Sequence, residues 1–354
     1  MRGYLQVIKF IILFSLGLLF VLEAGGRIVI WSVNGRQCRN LVNLFEPDAD
    51  LGYRYRPDTC SFSVRINSLG FRGREVSDIK PGNVLRIIAI GGSTTFGSDN
   101  KENDTYPVLL EKKLNSGGRH SPVKYEVINA GVVGYYTFHQ VLRFEEFLAM
   151  QPDIVILFDG WNDFWYAYSL GAQWKPNTID KKISDSYTSF LNNNSVSYRL
   201  MQLLRRKIVY IIKRKAKPSV AEMYQRAADN KDMYDNYQKN TEELVTAFRN
   251  NGVRVFLVKF PCLLRAHMDE QEKTLVRSIE PFWEEFTPFI TAHERLLERI
   301  DIVSKEMGVE VIDLDAIFNG LEKVERAQLF SDVFHFTAEG NAFIAQVICG
   351  YITR

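Results

Sequence analysis

The chain has 354 residues, 46% hydrophobic and 24% charged, with a formal net charge of +2. That apolar fraction places it among globular proteins, and the near-neutral balance leaves no overall footprint for nucleic acid. The four cysteines, Cys38, Cys60, Cys262 and Cys349, form no Cys-x-x-Cys pair and no His-paired metal spacing. Nothing repeats at a fixed period, and the length allows one large decorated domain or two domains.

The amino terminus is basic, with Arg2 and Lys9, and residues 10–22 are apolar and uncharged. Counted from Tyr4, the run is long enough to span a bilayer, with Lys9 reaching back to the interface. The basic end should then stay cytoplasmic and the rest of the chain be exported. A cleaved signal peptide is the rival. Ala24, Gly25 and Gly26 are suitably small, but Leu22-Glu23-Ala24 matches an A-x-A site poorly, so residues 1–27 are read as an uncleaved anchor. A soluble amphipathic helix conflicts with a run that is apolar all round.

Residues 28–82 are read as a decoration before the main sheet. Residues 52–57 and 63–67 alternate like short strands or a hairpin, and residues 67–73 are turn-rich. An exported location permits a Cys38–Cys60 disulfide, with two free thiols as the alternative. Cys262 and Cys349 read as buried apolar residues.

From residue 83 to 354 strands and helices alternate. Apolar runs predict strands at Leu85–Ile90, Tyr125–Asn129, Ile154–Phe158, Val253–Phe260 and Val309–Leu314. Helical spacing covers 106–114, 138–150, 236–250, 292–307 and 338–351. This alternation predicts an α/β domain with a five-stranded parallel sheet covered by helices on both faces. Ligands in such folds bind beyond the carboxyl ends of the strands.

Four stretches fall at such ends. The first strand runs into Gly91-Gly92-Ser93, a turn that lifts a hydroxyl off the sheet. The second is followed by residues 129–135, where Gly131 and Gly134 let a backbone N–H point into a cleft. The third is followed by Asp159-Gly160-Trp161-Asn162-Asp163, in which the Asn162 amide can donate toward the same cleft. The fourth stretch, residues 331–340, precedes the last helix. Thr337 can cap that helix, with Glu339 in its first turn, which leaves His335 just outside it. Asp332, three residues earlier, can accept the His335 Nδ1–H and set its tautomer. Each stretch alone also fits ordinary turn chemistry. The other histidines, His120, His139, His267 and His293, lack such a context and read as surface or helix residues.

Residues 164–235 interrupt the alternation. Trp165, Tyr166, Tyr168 and Trp174 follow Asn162 closely and either form a lid or pack over the core. Residues 197–217 carry eight basic residues and no acidic one, with apolar residues at helical spacing. They form a basic amphipathic helix that either rests on an anionic bilayer or packs on the domain with a solvated face. The connection 262–290, with Phe282, Trp283 and Phe286, has no specific signal.

Together the four stretches resemble the SGNH hydrolase superfamily, the GDSL-type esterases and lipases. The ordered blocks are Gly91-Gly92-Ser93, Gly134, Asn162 in 160–163, and Asp332 with His335. The resemblance covers roughly residues 84–170 and 236–354. It implies a three-layer α/β/α fold with flavodoxin-like strand order, no cofactor and no metal. It implies Ser93 as nucleophile and His335 as general base oriented by Asp332. The Ser93 N–H, the Gly134 N–H and the Asn162 amide would form the oxyanion hole. The Gly-Asp-Ser-Leu signature reads Gly91-Gly92-Ser93-Thr94 here, which weakens substrate assignment by analogy. The layout of an apolar segment, then Asn67 to Arg72, then the serine block is similar to that of bacterial membrane-anchored members, many of which act on acylated envelope glycans.

The sequence therefore leads to a membrane-anchored, extracytoplasmic serine esterase. Its partners would be an acyl ester, such as an acylated glycan, and the membrane through residues 4–22. Two rivals keep the same residues: an O-acyltransferase using a glycan hydroxyl, and a non-catalytic glycan-binding subunit. Acyl length and oligomeric state stay open.

Overall fold

The computed structural model describes residues 2–34, 44–61, 64–116, 123–179, 220–279 and 287–354. The chain divides into two units with the boundary between Ile66 and Asn67. In the first, helix α1 (Arg2–Asn34) contains an apolar stretch, Lys9–Val29, long enough to cross a membrane, with mean hydropathy 1.9 and no part of it buried in the protein. It fits a membrane anchor or a signal sequence. The alternating residues that follow form two antiparallel pairs: β1 (Phe45–Asp48) with β2 (Gly52–Tyr55), and β3 (Thr59–Ser61) with β4 (Val64–Ile66). The two stretches expected as strands or a hairpin thus belong to separate pairs. Cys60 is disulfide-bonded, and Cys38 lies outside the described residues.

The second unit is the α/β domain. Its strands are β5 (Val84–Gly91), β6 (Lys124–Asn129), β7 (Ile154–Phe158), β8 (Arg254–Lys259) and β9 (Glu310–Asp313), all parallel, in the order β6-β5-β7-β8-β9. That is the flavodoxin-like order. Ile87, Ile88, Ala89 and Ile90 are fully buried, as a strand covered on both faces requires. The first crossover runs one way along the sheet and the later ones run the other. Right-handed connections therefore place helices on opposite faces. On one face α3 (Tyr106–Ser116) packs against the last helix, α13 (Ala338–Ile352). On the other lie α4 (Thr137–Leu142), α5 (Phe144–Ala149), α6 (Trp161–Leu170), α7 (Val220–Ala228), α8 (Lys231–Asn250) and α10 (Thr287–Met307). Shorter helices, α9 (Glu270–Ile279), α11 (Leu314–Asn319) and α12 (Lys323–Gln328), fill connections after β8 and β9.

The helix expected over 138–150 is two helices. It breaks at Arg143 (φ −94°, ψ 4°), whose buried guanidinium turns inward to the Ala130 carbonyl (3.2 Å) and pairs with Glu146. Apolar periodicity continues through the break, so the pattern gave no warning of it. Of the aromatic residues after Asn162, Trp165, Tyr166 and Tyr168 lie within α6; Trp165 packs on Tyr224 and Phe289, and Tyr168 on Tyr224. The basic stretch 197–217, His120, Phe282, Trp283 and Phe286 lie outside the described residues. His139 and His293 sit on helices but are buried. His139 stacks on Tyr135 (4.2 Å between centroids), and His293 Nε2 lies 2.7 Å from the Phe260 carbonyl.

Arg86 is fully buried within β5. Its guanidinium pairs with Glu126 of β6 (2.7 Å) and donates to the carbonyls of Met150 (2.6 Å) and Ser77 (2.7 Å). Removing Arg86 leaves Glu126 only the partly exposed Arg74 (3.3 Å) and strips two buried carbonyls of their donor. Arg86→Ala should therefore lower the free energy of unfolding by about 3–5 kcal/mol. Denaturant titration checks this, and a loss within error of zero would exclude the pair as a structural tie.

Candidate active site

β5 ends in Gly91-Gly92, and Ser93 opens a one-turn helix, α2 (Ser93–Phe96), closed by Gly97. The Ser93 Oγ lies 2.7 Å from His335 Nε2, and His335 Nδ1 lies 2.6 Å from Asp332 Oδ2. With the Nδ1 proton donated to Asp332, Nε2 is left to accept the serine hydroxyl. The other Asp332 oxygen accepts the backbone N–H groups of Phe334 (2.8 Å) and His335 (2.7 Å). Burial pushes the Asp332 carboxyl up, but the His335 hydrogen bond and charge, with those two N–H donors, outweigh it and hold the group below its ordinary value. It stays ionised opposite the imidazole.

The histidine loop is fixed from three directions. Thr337 caps α13 by accepting the Gly340 N–H (3.1 Å). Asn100 donates to the Phe336 carbonyl (2.8 Å), and Ser331 donates to Asp99 (3.0 Å). The loop carrying Asp99 and Asn100 is held by Arg72, a buried residue that donates to the carbonyls of Phe96 (2.5 Å), Gly97 (2.7 Å) and Asn100 (2.7 Å). The turn presenting Arg72 is shaped by Asn67, whose Oδ1 accepts from Leu69 and Phe71. The sequence marked residues 67–73 as turn-rich and Asn67 to Arg72 as part of the amino-terminal layout, but gave Arg72 no role.

The other two candidates approach from β6 and β7. Gly134 has φ +83° and closes a turn in which the Tyr135 N–H reaches the Val132 carbonyl (3.1 Å). Asn162, in the first turn of α6, donates one amide N–H to the Tyr135 carbonyl (2.6 Å). That bond orients the amide beside Gly134 and leaves its second N–H for the cleft. Ser93 and Asn162 line one cleft, together with Phe158, Trp161, Phe260 and Phe334. Gly134 is not in its lining and touches the site through its neighbour Tyr135.

The glycine before Ser93 faces the Asn162 amide. A Cβ on Gly92 would lie 2.4 Å from Asn162 Nδ2 and 3.3 Å from the Tyr135 carbonyl oxygen. The amide occupies the space that a side chain before the serine would need.

Beneath Asn162, Asp163 is buried. It accepts the Thr137 hydroxyl (2.6 Å), which in turn accepts from Asn240 (3.2 Å). This ties the start of α6 to the start of α4 and so fixes Asn162 relative to Gly134. Burial, partly offset by the Thr137 hydrogen bonds, pushes the Asp163 carboxyl up to about 7. The Asp99, Asp332 and His335 ligand atoms lie within 4.8 Å of one another. Both ring nitrogens of His335 are already engaged by Ser93 and Asp332, so a cation there would have to break the Ser–His–Asp chain.

Two outcomes follow from this geometry. Gly92→Asp should displace Asn162 and lower kcat on an activated ester by on the order of 10²-fold, the scale of losing one oxyanion donor. An unchanged rate would show that the amide is not needed where it sits. Asp163 should make stability fall with pH. A carboxyl raised by folding keeps its proton longer when folded, so its contribution is fully present below the ordinary carboxylate range and is lost as pH rises toward about 7. Thermal melts between about pH 4 and about pH 8 should decline less for Asp163→Asn than for wild type; equal declines would contradict the assignment.

The sequence matches the model of the GDSL-like lipase/acylhydrolase family over residues 89–343. No curated protein matches the chain. Among solved structures it is similar to the acetyl xylan esterase AlAXEase, at 18% identity, covering 76% of this chain and 100% of that one with TM-score 0.47. It is also similar to the acetylxylan esterase Axe2 of Geobacillus stearothermophilus, at 16% identity, 78% and 96% coverage and TM-score 0.45. A lipase/acylhydrolase from Enterococcus faecalis shows 18% identity, 75% and 94% coverage and TM-score 0.42. With the family match spanning most of its length, the chain belongs to the GDSL-like lipase/acylhydrolase family and is an ester-hydrolysing enzyme.

Proposed function

We propose that the chain is a membrane-anchored serine esterase that removes short acyl groups from hydroxyl-bearing substrates, O-acetylated envelope glycans among them, through an acyl-enzyme on Ser93. The observation that carries this reading is the unbroken hydrogen-bond chain Ser93–His335–Asp332 opening on a cleft that also holds the Asn162 amide. A serine hydroxyl is a weak nucleophile until a base takes its proton. His335 Nε2 takes it as Oγ attacks the ester carbonyl, and Asp332 stabilises the imidazolium. Negative charge builds on the carbonyl oxygen, where the Asn162 amide and the N–H groups of Gly134 and Ser93 meet it. His335 then returns the proton to the departing alcohol oxygen. Water attacks the acyl-enzyme, gives its proton to His335, and Ser93 leaves with that proton restored.

The short-chain assignment rests on the aromatic residues that line the cleft beside Ser93, Phe158, Trp161, Phe260 and Phe334. The anchor rests on the exposed apolar helix α1. The glycan rests on the likeness of the amino-terminal layout to that of membrane-anchored relatives.

Hydrolysis of p-nitrophenyl acetate by the full-length protein in detergent tests the core of this reading. Ser93→Ala should lower kcat by on the order of 10³-fold or more, and Asn162→Ala by about 10²–10³-fold. A Ser93→Ala protein that turns over at the wild-type rate would remove Ser93 as nucleophile. Alkaline-carbonate extraction of cell membranes separates an integral anchor, which stays with the lipid, from a cleaved segment, which releases the protein.

A further inference from the structure

One short segment is bonded to both sides of the Ser93–His335 contact. Residues 97–100 follow the turn that carries Ser93, and the N–H groups of Gly97 and Ser98 donate to the Ser93 carbonyl (2.8 and 3.2 Å). The same segment reaches the histidine loop: Asn100 donates to the Phe336 carbonyl (2.8 Å), and Asp99 accepts the Ser331 hydroxyl (3.0 Å). Arg72 spans this segment. One guanidinium nitrogen donates to the carbonyls of Phe96 (2.5 Å) and Gly97 (2.7 Å), the other to that of Asn100 (2.7 Å). The guanidinium carbon lies 4.4 Å from the centre of the Phe96 ring. Arg72 is itself fixed to the sheet. Its backbone N–H donates to the carbonyl of Asn129 at the end of β6 (3.2 Å), and the Asn129 amide donates to the Phe96 carbonyl (3.3 Å).

The last carbonyls of a helical turn lack donors within it. A planar fork of N–H groups satisfies several such carbonyls at once and fixes their directions. We propose that Arg72 is a positioning residue for ester cleavage, setting the reach from Ser93 Oγ to His335 Nε2 by holding residues 96–100 rigid between the two. Gly97, Ser98, Asp99 and Asn100 carry no apolar side chain that could anchor the segment by burial. Proton transfer needs the hydroxyl and the imidazole within hydrogen-bond reach. A misplacement of about 1 Å costs on the order of 10²-fold in rate. Trp161, Asn162 and Phe260 of the cleft are carried by other elements, so substrate binding should be spared.

This role rests on the serine-esterase reading, and the test separates the two. Full-length wild type, Arg72→Ala, Arg72→Lys and Asn100→Ala are assayed in one detergent on p-nitrophenyl acetate. Reactive sites are counted with a fluorophosphonate carried to completion. Arg72→Ala should lower kcat per reactive site by on the order of 10²-fold, with KM within about threefold of wild type. Arg72→Lys keeps the charge without the fork and should recover about tenfold of that loss. Asn100→Ala should lower kcat per site by about tenfold, and the double variant by less than the product of the two single losses. A purely structural role looks different: fewer reactive sites, each with the wild-type kcat. That result overturns the proposal, as does a loss confined to KM. Where Arg72→Ala does not fold, Arg72→Lys and Asn100→Ala carry the test, and wild-type kcat per site in both overturns it. Failure of the underlying reading is separate: acetate turnover that survives Ser93→Ala, whatever the Arg72 variants do.

Discussion

The contact on which the site depends joins two groups 242 residues apart, the Ser93 hydroxyl and the His335 imidazole at 2.7 Å. A hydrogen bond of that length tolerates displacements of only a few tenths of an ångström, so both loops need rigid supports. Ser93 is held by the sheet, because β5 is the buried strand between β6 and β7. His335 is held by α13, which packs on α3 and is started by Thr337. Arg72 closes the arrangement by gathering three carbonyls of the loop whose Asp99 and Asn100 grip the histidine loop. A charged donor satisfying three buried acceptors fixes a loop without any apolar core of its own.

Supports of this kind tax stability beneath the site. Asp163 is buried and Asp159 nearly so; burial raises both carboxyls, and the Asp163 charge raises Asp159 further. What Asp163 supplies is a directional bond to Thr137, which sets α6 against α4 and so places Asn162 beside Gly134. Local rules broken at a site and compensated elsewhere are the usual mark of function. Here Gln140 and Arg143 oppose the rise at Asp159, and Thr137, itself held by Asn240, opposes it at Asp163.

Much of this was legible in the sequence because the signals are local. The five strands show as buried apolar runs, and all five lie within a residue or two of their expected positions. Ser93 follows the Gly91-Gly92 turn and Asp332 stands three residues before His335, cues local enough to mark them as candidates, whereas the bonds that hold the histidine loop to Asp99 and Asn100 are tertiary. The break at Arg143 was hidden, since an amphipathic pattern is indifferent to a change of helix axis. Arg72 and Asp159 were hidden for another reason: their partners are carbonyls and rings brought together only by the tertiary fold. His139 and His293 were read as surface or helix residues because burial of a helical histidine depends on what packs over it.

Gly92 shows how a motif can lose a letter and keep its geometry. In a Gly-Asp-Ser block a side chain would project from the position before the serine. Here that volume is filled by the Asn162 amide, 2.4 Å from where a Cβ would stand, and the amide is held there by the Tyr135 carbonyl. The atom in the way is the end of a side chain, so a residue larger than glycine at 92 has to turn the Asn162 amide out of its present place, and the bond to the Tyr135 carbonyl is what resists that.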